Sequence, residues 1–453
     1  MRTSKWHFIL YFIFICTPVT LARVEVSATR PNIIVLLCDD LGYGDLSCYG
    51  HPVIQTPNLD RLARQGLRLT ACYSAAPVCS PSRVGLLTGR SPNRAGVYDW
   101  IPPGGRQQAN LRDLVHMQKD ETTIPMVLSQ SGYQTCLVGK WHCNSRFNSP
   151  AQPQPDQAGF DHWFATQNNA GPSHKNPKNF VRNGEPAGPL TGFSAGLIVQ
   201  EAIQWLGQRD AKQPFYLQVC FHEPHEPVAS PPALVKKYLP KATNEDQAQY
   251  FANVENVDQA VGRLLAFLSS QDLREHTLIV FTSDNGPETL KRYGGANRSY
   301  GSPGALKGMK LWTSEAGFRV PGILNWPGTI EPGLVSDKVV SSLDLLPTFC
   351  ALSDASLPKR TLDGTDISGF LKGQPLSRPK PLLWCYYNSL NEHAVAMRSG
   401  DWKILATLQV DGQRLDKITN VHSSNQATIR NAVLGDFELY HVKADLSETN
   451  NVA

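Results

Sequence analysis

The sequence predicts an α/β fold, a mainly parallel mixed sheet sandwiched by helices, with a small C-terminal α+β domain built on an antiparallel sheet. Three observations carry this expectation. Residues 32–38 (NIIVLLC) form a continuous apolar, β-branched run, the pattern of a strand buried on both faces. Similar runs at 134–138, 215–221 and 277–282 alternate with helix-like segments, as parallel strands joined by crossover helices do. Beyond about residue 375 the helical signal fades and short strand-like pieces replace it.

Taken in order, the first strand at 32–38 is followed by helical periodicity over 58–65. A second helix is expected over 80–87, where Ser80 suits an N-cap and Pro81 the first helical position. A helix over 123–130 then leads into the strand at 134–138. Residues 152–189 are rich in Pro, Gly and Asn with weak periodicity, so they read as a long surface excursion that would shape access to a strand-end site. A helix at 196–206, the strand at 215–221, a long helix over 244–269 and the strand at 277–282 complete the main domain, placed at 30–374. The pieces at 381–387, 393–398, 402–407 and 437–440 read as the antiparallel sheet of a second domain, 375–453. In such a parallel sheet, ligands gather at the carboxyl ends of the strands.

Composition bounds the function. Of 453 residues, 41% are hydrophobic and 18% charged, ordinary values for a soluble globular chain, and they exclude disorder as the main description. Lys and Arg total 43 against 39 Asp and Glu, a net charge of +4 that gives no nucleic-acid footprint. Residues 1–22 have the layout of a signal peptide: basic Arg2 and Lys5, an apolar stretch over 8–15, and a small-residue end at Thr20-Leu21-Ala22. That stretch falls short of the ~20 residues a membrane span needs. Export to a periplasmic, secreted or lysosome-like compartment is therefore expected, with no membrane span. Ten cysteines occur, Cys16 among them in the leader, and no pair has C-x-x-C spacing, so neither a zinc site nor a redox motif is indicated. The mature count is odd, which leaves one cysteine needing another explanation.

Three polar clusters carry the chemistry. Asp39-Asp40 directly follows the first buried strand, and adjacent carboxylates there repel unless a hard cation joins them. Gly42-Tyr43-Gly44 after a strand is the start of a dinucleotide-loop pattern, but the third glycine is replaced by Ser47 and two carboxylates would repel a pyrophosphate. Thr282-Ser283-Asp284-Asn285-Gly286 closes another buried strand, and its Asp284 and Asn285 can add two oxygen ligands, although alone it would read as an Asx turn. Cys79-Ser80-Pro81-Ser82-Arg83 opens a helix, whose positive end welcomes an anion with Arg83 one turn on. A cysteine phosphatase loop needs an arginine six residues after the cysteine, and that place is Gly85.

At these residues the sequence resembles the type I, formylglycine-dependent sulfatases, the arylsulfatase family of the alkaline phosphatase superfamily. Cys79-x-Pro81-Ser82-Arg83 with Leu87-Thr88-Gly89 matches their modification signal, and Gly139-Lys140-Trp141-His142, Pro224-His225-Glu226-Pro227 and Lys310 before Glu315-Ala316-Gly317 follow in the family's order. Departures are Cys143-Asn144 where Leu-Gly is usual and Ala316 where glycine is commoner. Glu438-Leu439-Tyr440 and Glu448-x-Asn450 resemble the end of the family's C-terminal domain, and relatives commonly continue beyond Ala453 into a final helix. His222-Glu223-x-His225 is no zinc-protease motif, which needs a histidine where Glu226 stands.

The resemblance implies an alkaline phosphatase-like fold and hydrolysis of sulfate monoesters. It implies that a separate maturation enzyme oxidises Cys79 to formylglycine (3-oxoalanine), whose hydrate is the nucleophile, and that Asp39, Asp40, Cys79, Asp284 and Asn285 hold one metal ion. Arg83, Lys140 and Lys310 would bind the sulfate, His225 with Lys310 would protonate the leaving oxygen, and His142 would take the proton from the second hydroxyl. Three carboxylates against three cations leave the site positive once a divalent ion is bound, which favours a sulfate ester and the charge that develops on its oxygens. The crowded oxygen set suits Ca2+ better than Mg2+. Export and the 152–189 excursion point to a sulfated carbohydrate, with Asn168-Asn169 and His174-Lys175 as candidate pocket residues. The alternatives are a phosphonate monoester or phosphodiester hydrolase of the same superfamily and a catalytically silent carbohydrate-binding relative.

Overall fold

The computed structural model describes residues 30–104 and 115–453. The expected signal peptide, 1–22, lies outside the described residues. Strand β1 (Asn32–Asp39) is followed by α1 (Pro57–Arg64), β2 (Leu67–Tyr73), α2 (Cys79–Thr88), α3 (Ile124–Gln130) and β3 (Gln134–Lys140). Next come β4 (His162–Thr166), the two-residue strands β5 (Val181–Arg182) and β6 (Glu185–Pro186), α4 (Ser194–Gln208), β7 (Phe215–Pro224), α5 (Pro232–Tyr238), the long α6 (Glu245–Ser270) and β8 (Thr277–Ser283). The short α7 (Glu315–Phe318) runs into β9 (Arg319–Asn325), then β10 (Leu334–Ser336), β11 (Val340–Ser341), α8 (Leu345–Ser353) and α9 (Ser368–Leu371). A second sheet is built from β12 (Leu382–Cys385), β13 (Val395–Ser399), β14 (Trp402–Val410), β15 (Gln413–Arg414) and, after α10 (Gln426–Asn431), β16 (Val433–His441).

Among the described residues the main sheet has 11 strands in the order β10-β2-β9-β8-β1-β7-β3-β4-β5-β6, with β11 beside β2. Strand β1 is central and parallel to both neighbours, β7 and β8. Its alternation divides the interior. Ile33, Val35 and Leu37 enter one core, with α2, α3 and α8, whereas Ile34, Leu36 and Cys38 enter the other, with α1, α4 and α6. All six are fully buried, and burial of a side chain of the Val, Leu or Ile class contributes about 1.5–3 kcal/mol. This is why NIIVLLC lacks the polar alternation of a half-exposed strand.

The four expected strands lie at the centre of the sheet, extended by one to three residues. Two expectations are corrected. Residues 152–189 are not only a surface excursion: β4 lies parallel to β3 inside the sheet, and β5 and β6 continue it. Pro and Gly around a five-residue strand had masked its signal. The helix carrying Cys79 begins at Cys79 itself with Val78 as N-cap, so Ser80 and Pro81 are already helical. Ser80 Oγ instead accepts the Ile101 amide at 3.0 Å.

The small sheet is antiparallel throughout. It meets the main sheet in a shared core of Tyr73, Phe318, Trp384, Leu405 and Tyr440, in which the Phe318 and Trp384 rings stack at 4.0 Å. No helix among the described residues is long and apolar enough to cross a membrane.

Candidate active site

The site forms where parallel strands end side by side. In the register of β1 and β8, Cys38 stands opposite Ser283, so Asp39 and Asp284 leave the sheet at the same level. Asp40 turns immediately, with φ +61, and its amide donates to Asp284 Oδ1 at 3.2 Å. Strand β7 flanks β1 on the other side and delivers His225, and β3 beyond it delivers Lys140. Gly139 makes that approach possible: a Cβ there would lie 1.8 Å from the Cys220 carbonyl oxygen, and its φ of +103 suits glycine. Gly286 has the same function opposite Ala316, whose carbonyl oxygen a Cβ would approach to 1.6 Å.

Every expected residue of this site is buried here. Cys79 Sγ is 3.4 Å from Asp39 Oδ1 and 3.8 Å from Asp40 Oδ1. Lys140 Nζ pairs with Asp39 Oδ2 at 2.6 Å, and Lys310 Nζ with Asp40 Oδ2 at 2.7 Å. Arg83 sends Nε and Nη2 to Asp284 Oδ2 at 2.8 and 2.7 Å and Nη1 to the Lys140 carbonyl at 3.1 Å. Burial works against ionisation of Asp39, but Lys140, His225 and Arg83 outweigh it and hold the carboxyl well below its usual range. For Asp40 and Asp284, burial dominates and pushes each up to about 6 despite Lys310 and Arg83. Two guanidinium nitrogens on one carboxylate oxygen are nonetheless the geometry of a charged pair.

The two histidines are set in definite tautomers. His142 Nε2 is 3.0 Å from the Ile101 carbonyl, which can only accept, so Nε2 carries the proton. Its Nδ1 is buried without a hydrogen-bond partner. Burial, then Lys140 and Arg83, keep the ring neutral. His225 Nδ1 donates to the Glu226 carbonyl at 2.7 Å, which leaves Nε2 facing Asp40 Oδ2 at 3.6 Å. Burial, then Lys310, lower this histidine to about 4.

A divalent cation suits these residues. Asp39, Asp40, Cys79 and His225 present ligand atoms within 4.8 Å of one another. Asn285 donates Nδ2 to Asp40 Oδ1 at 2.7 Å and to the Gly286 carbonyl at 2.9 Å, while its Oδ1 is buried and unpartnered. An unsatisfied amide oxygen beside adjacent carboxylates is an oxygen donor set for a hard cation.

Over Lys310 and His225 opens a cavity of about 350 Å³, also lined by Trp100, Asn168, Asn169 and Arg292. Asn168 and Asn169 are therefore at the pocket as expected, and their Oδ1 atoms are buried without partners. His174 and Lys175 are not among the lining residues: His174 is fully buried with Nδ1 3.2 Å from Asn253 Nδ2, and Lys175 is exposed. The sequence reading missed Glu288, whose Oε2 is 3.8 Å from Lys310 Nζ and which Arg292 also holds. Its position just after Asp284-Asn285-Gly286-Pro287 was the available signal. Tyr386 and Asn388 line the pocket from the turn that follows β12, and nothing in their local sequence indicated it.

Residues 31–355 match the sulfatase family model, and 309–411 match the C-terminal model of N-sulphoglucosamine sulphohydrolase. Human arylsulfatase A is 35% identical over 406 residues, covering 83% of this chain and 75% of its own. Rat N-acetylgalactosamine-6-sulfatase is 35% identical over 367 residues, covering 77% and 67% respectively. Among solved structures, Ps i-CgsB in complex with k-i-k-neocarrahexaose superposes with a TM-score of 0.76 at 28% identity, over 93% of this chain and 88% of that one.

Proposed function

Because the chain belongs to the sulfatase family and is a sulfuric ester hydrolase, we propose that it removes sulfate from a sulfated carbohydrate, using Cys79 converted to formylglycine. The observation that carries this reading is the place of Cys79: the first residue of α2, fully buried, between Asp39 and Asp40 and facing the two lysines. Burial pushes its thiol well up, and the pull of Lys140 and Lys310 does not offset it. An unmodified cysteine would thus stay protonated and be a poor nucleophile. A hydrated aldehyde at the same position supplies hydroxyl groups in place of a thiolate.

The remaining residues divide the work by charge and tautomer. Arg83, Lys140 and Lys310 form the cationic wall that holds the sulfate oxygens and stabilises charge developing on them. His142, with Nε2–H tied to Ile101, offers the Nδ1 lone pair as a base. Burial opposes the charge on Lys310, but Asp40, and then Cys79 and Glu288, hold its pKa well above the ordinary value, so it stays a cation and a hydrogen-bond donor beside the leaving oxygen. His225, whose Nδ1–H is fixed on Glu226, passes a proton from Nε2 to that oxygen when its ring is protonated, and takes up a replacement proton from solvent to return to that form. A divalent ion held by Asp39, Asp40, residue 79, Asp284 and Asn285, Ca2+ in preference to Mg2+, would supply Lewis-acid polarisation of the nucleophile and of the sulfate.

The carbohydrate assignment is supported by the neocarrahexaose bound to the similar structure, by the N-acetylgalactosamine-6-sulfatase relative, and by Asn168 and Asn169 in the cavity wall, amide side chains of the kind that bind sugar hydroxyls. The proposal includes a signal peptide at 1–22, export, a separate formylglycine-generating enzyme, a catalytic domain at 30–374 and a C-terminal subdomain at 375–453. Sulfate release measured over a panel of sulfated mono- and oligosaccharides tests it. Turnover of a simple aryl sulfate with release from none of the sugars would overturn the carbohydrate assignment.

A further inference from the structure

Lys310 stands on a stretch, 299–314, that contains neither helix nor strand. A four-carbon side chain on such a stretch reaches a defined point only if its backbone is held from outside. On the inner side the catalytic core holds it through the Lys310 amide to the Pro287 carbonyl and the Leu311 amide to the Pro77 carbonyl, each 2.8 Å. Leu311 has φ +70, a left-handed conformation that a leucine keeps only where its surroundings over-determine it.

The outer side is held by residues more than 70 positions later in the chain. The Leu390 amide donates to the Leu311 carbonyl at 2.9 Å. Asn391 Oδ1 accepts the Thr313 amide at 2.9 Å, and Thr313 Oγ1 donates to the His393 carbonyl at 2.8 Å. Ser447 Oγ donates to the Ala305 carbonyl at 2.7 Å, and Lys307 Nζ to the Glu448 carbonyl at 3.1 Å. Glu448 Oε2 accepts the Glu315 amide at 2.7 Å, while Oε1 pairs with the fully buried Lys403 of β14 at 2.8 Å. Lys403 in turn reaches Glu315 Oε1 at 3.2 Å. On the C-terminal side, none of Leu390, Asn391, His393, Lys403, Ser447 and Glu448 lines the cavity over Lys310 and His225.

We infer that the two C-terminal segments 390–393 and 447–448 are a clamp that positions Lys310, with Asn391 and Glu448 as positioning residues for a reaction they do not touch. The clamp gripping both flanks of Lys310 keeps Leu311 in its left-handed turn, and the Lys310 ammonium stays beside Asp40 and the substrate. This inference rests on the sulfate-side function proposed for Lys310.

A double-mutant cycle tests it on the full chain. Glu448→Ala and Asn391→Ala are each expected to lower kcat/KM by about tenfold when Lys310 is present, and by no more than about twofold in a Lys310→Ala background. Glu448→Gln, which keeps an oxygen for the Glu315 amide, is expected to recover most of the loss. Circular dichroism checks that each variant is folded, and Asn391→Ala, outside the buried Lys403–Glu448 pair, carries the test if Glu448→Ala does not fold. If the losses are as large without Lys310 as with it, the two segments stabilise the fold and the clamp is refuted while the function of Lys310 stands. If Lys310→Ala is itself silent, both fall.

Discussion

Lys140 Nζ lies 2.6 Å from Asp39 Oδ2, and neither side chain is exposed. The two residues end strands β3 and β1, separated in the sheet by β7. With Lys310 on Asp40 and Arg83 on Asp284, each carboxylate of the proposed metal site already has a cation partner. The fold should therefore not depend on the metal. Chelated protein is expected to lose activity yet keep its secondary structure. Lys140→Met, which strands a buried carboxylate, should cost about 3–5 kcal/mol. A saturating divalent ion, at about 100 times its Kd, should restore about 2.7 kcal/mol. Thermal unfolding with and without Ca2+ measures both, and a variant that gains nothing from the ion would contradict this account.

Asn285 offers its one unsatisfied oxygen to the same site. Asn285→Ala should weaken Ca2+ binding by about tenfold or more, since even outer contacts of metal sites are worth about 10–100-fold. Calorimetric titration of chelated protein reads this directly. An unchanged Kd would remove Asn285 from the ligand set, and tighter binding of Mg2+ than Ca2+ would reverse the assignment of the ion.

Cys79 is expected to be an aldehyde in active protein. Mass spectrometry of the tryptic peptide that contains it should show the formylglycine mass, and Cys79→Ala should lower kcat to background. Full activity with an intact thiol would end the formylglycine reading.

Leaving-group protonation should separate substrates by pH. Burial, then Lys310, lower His225 to about 4 in the free site. The protonated fraction therefore falls tenfold for each pH unit above about 4, and kcat/KM for an alkyl or sugar sulfate, whose leaving oxygen needs a proton, should decline toward alkaline pH. An aryl sulfate with a stable leaving phenolate should decline less, and His225→Ala should abolish the difference. Parallel profiles for the two substrates in the native enzyme would take the acid function from His225.

Much of the site was legible because its residues sit at the ends of signals that are themselves local. Asp39-Asp40 and Asp284-Asn285 each close an apolar run, and Cys79 opens a helix two residues earlier than Ser80 as N-cap and Pro81 as first helical residue suggested. What stayed hidden has a common cause. Strand β4 is five residues between loops, too short for periodicity to register, and β9 carries Pro321 and Gly322 yet lies fully buried and antiparallel between β2 and β8. Glu288 reads locally as a surface glutamate and becomes a site residue only because Lys310 and Arg292 fold against it.

Which segments are buried, where they stop and which polar groups stand at those ends can be read along the chain, because burial and chain reversal leave their record in neighbouring residues. Which strand ends lie side by side is set by the folded sheet instead, since pairing depends on contacts between residues far apart in the chain. The register of Cys38 with Ser283 brings Asp39 to Asp284 across some 245 residues. The same kind of long-range choice set Lys140 on Asp39 and Lys310 on Asp40, brought Tyr386 to the cavity over Lys310, and joined Glu448 to the stretch that carries Lys310.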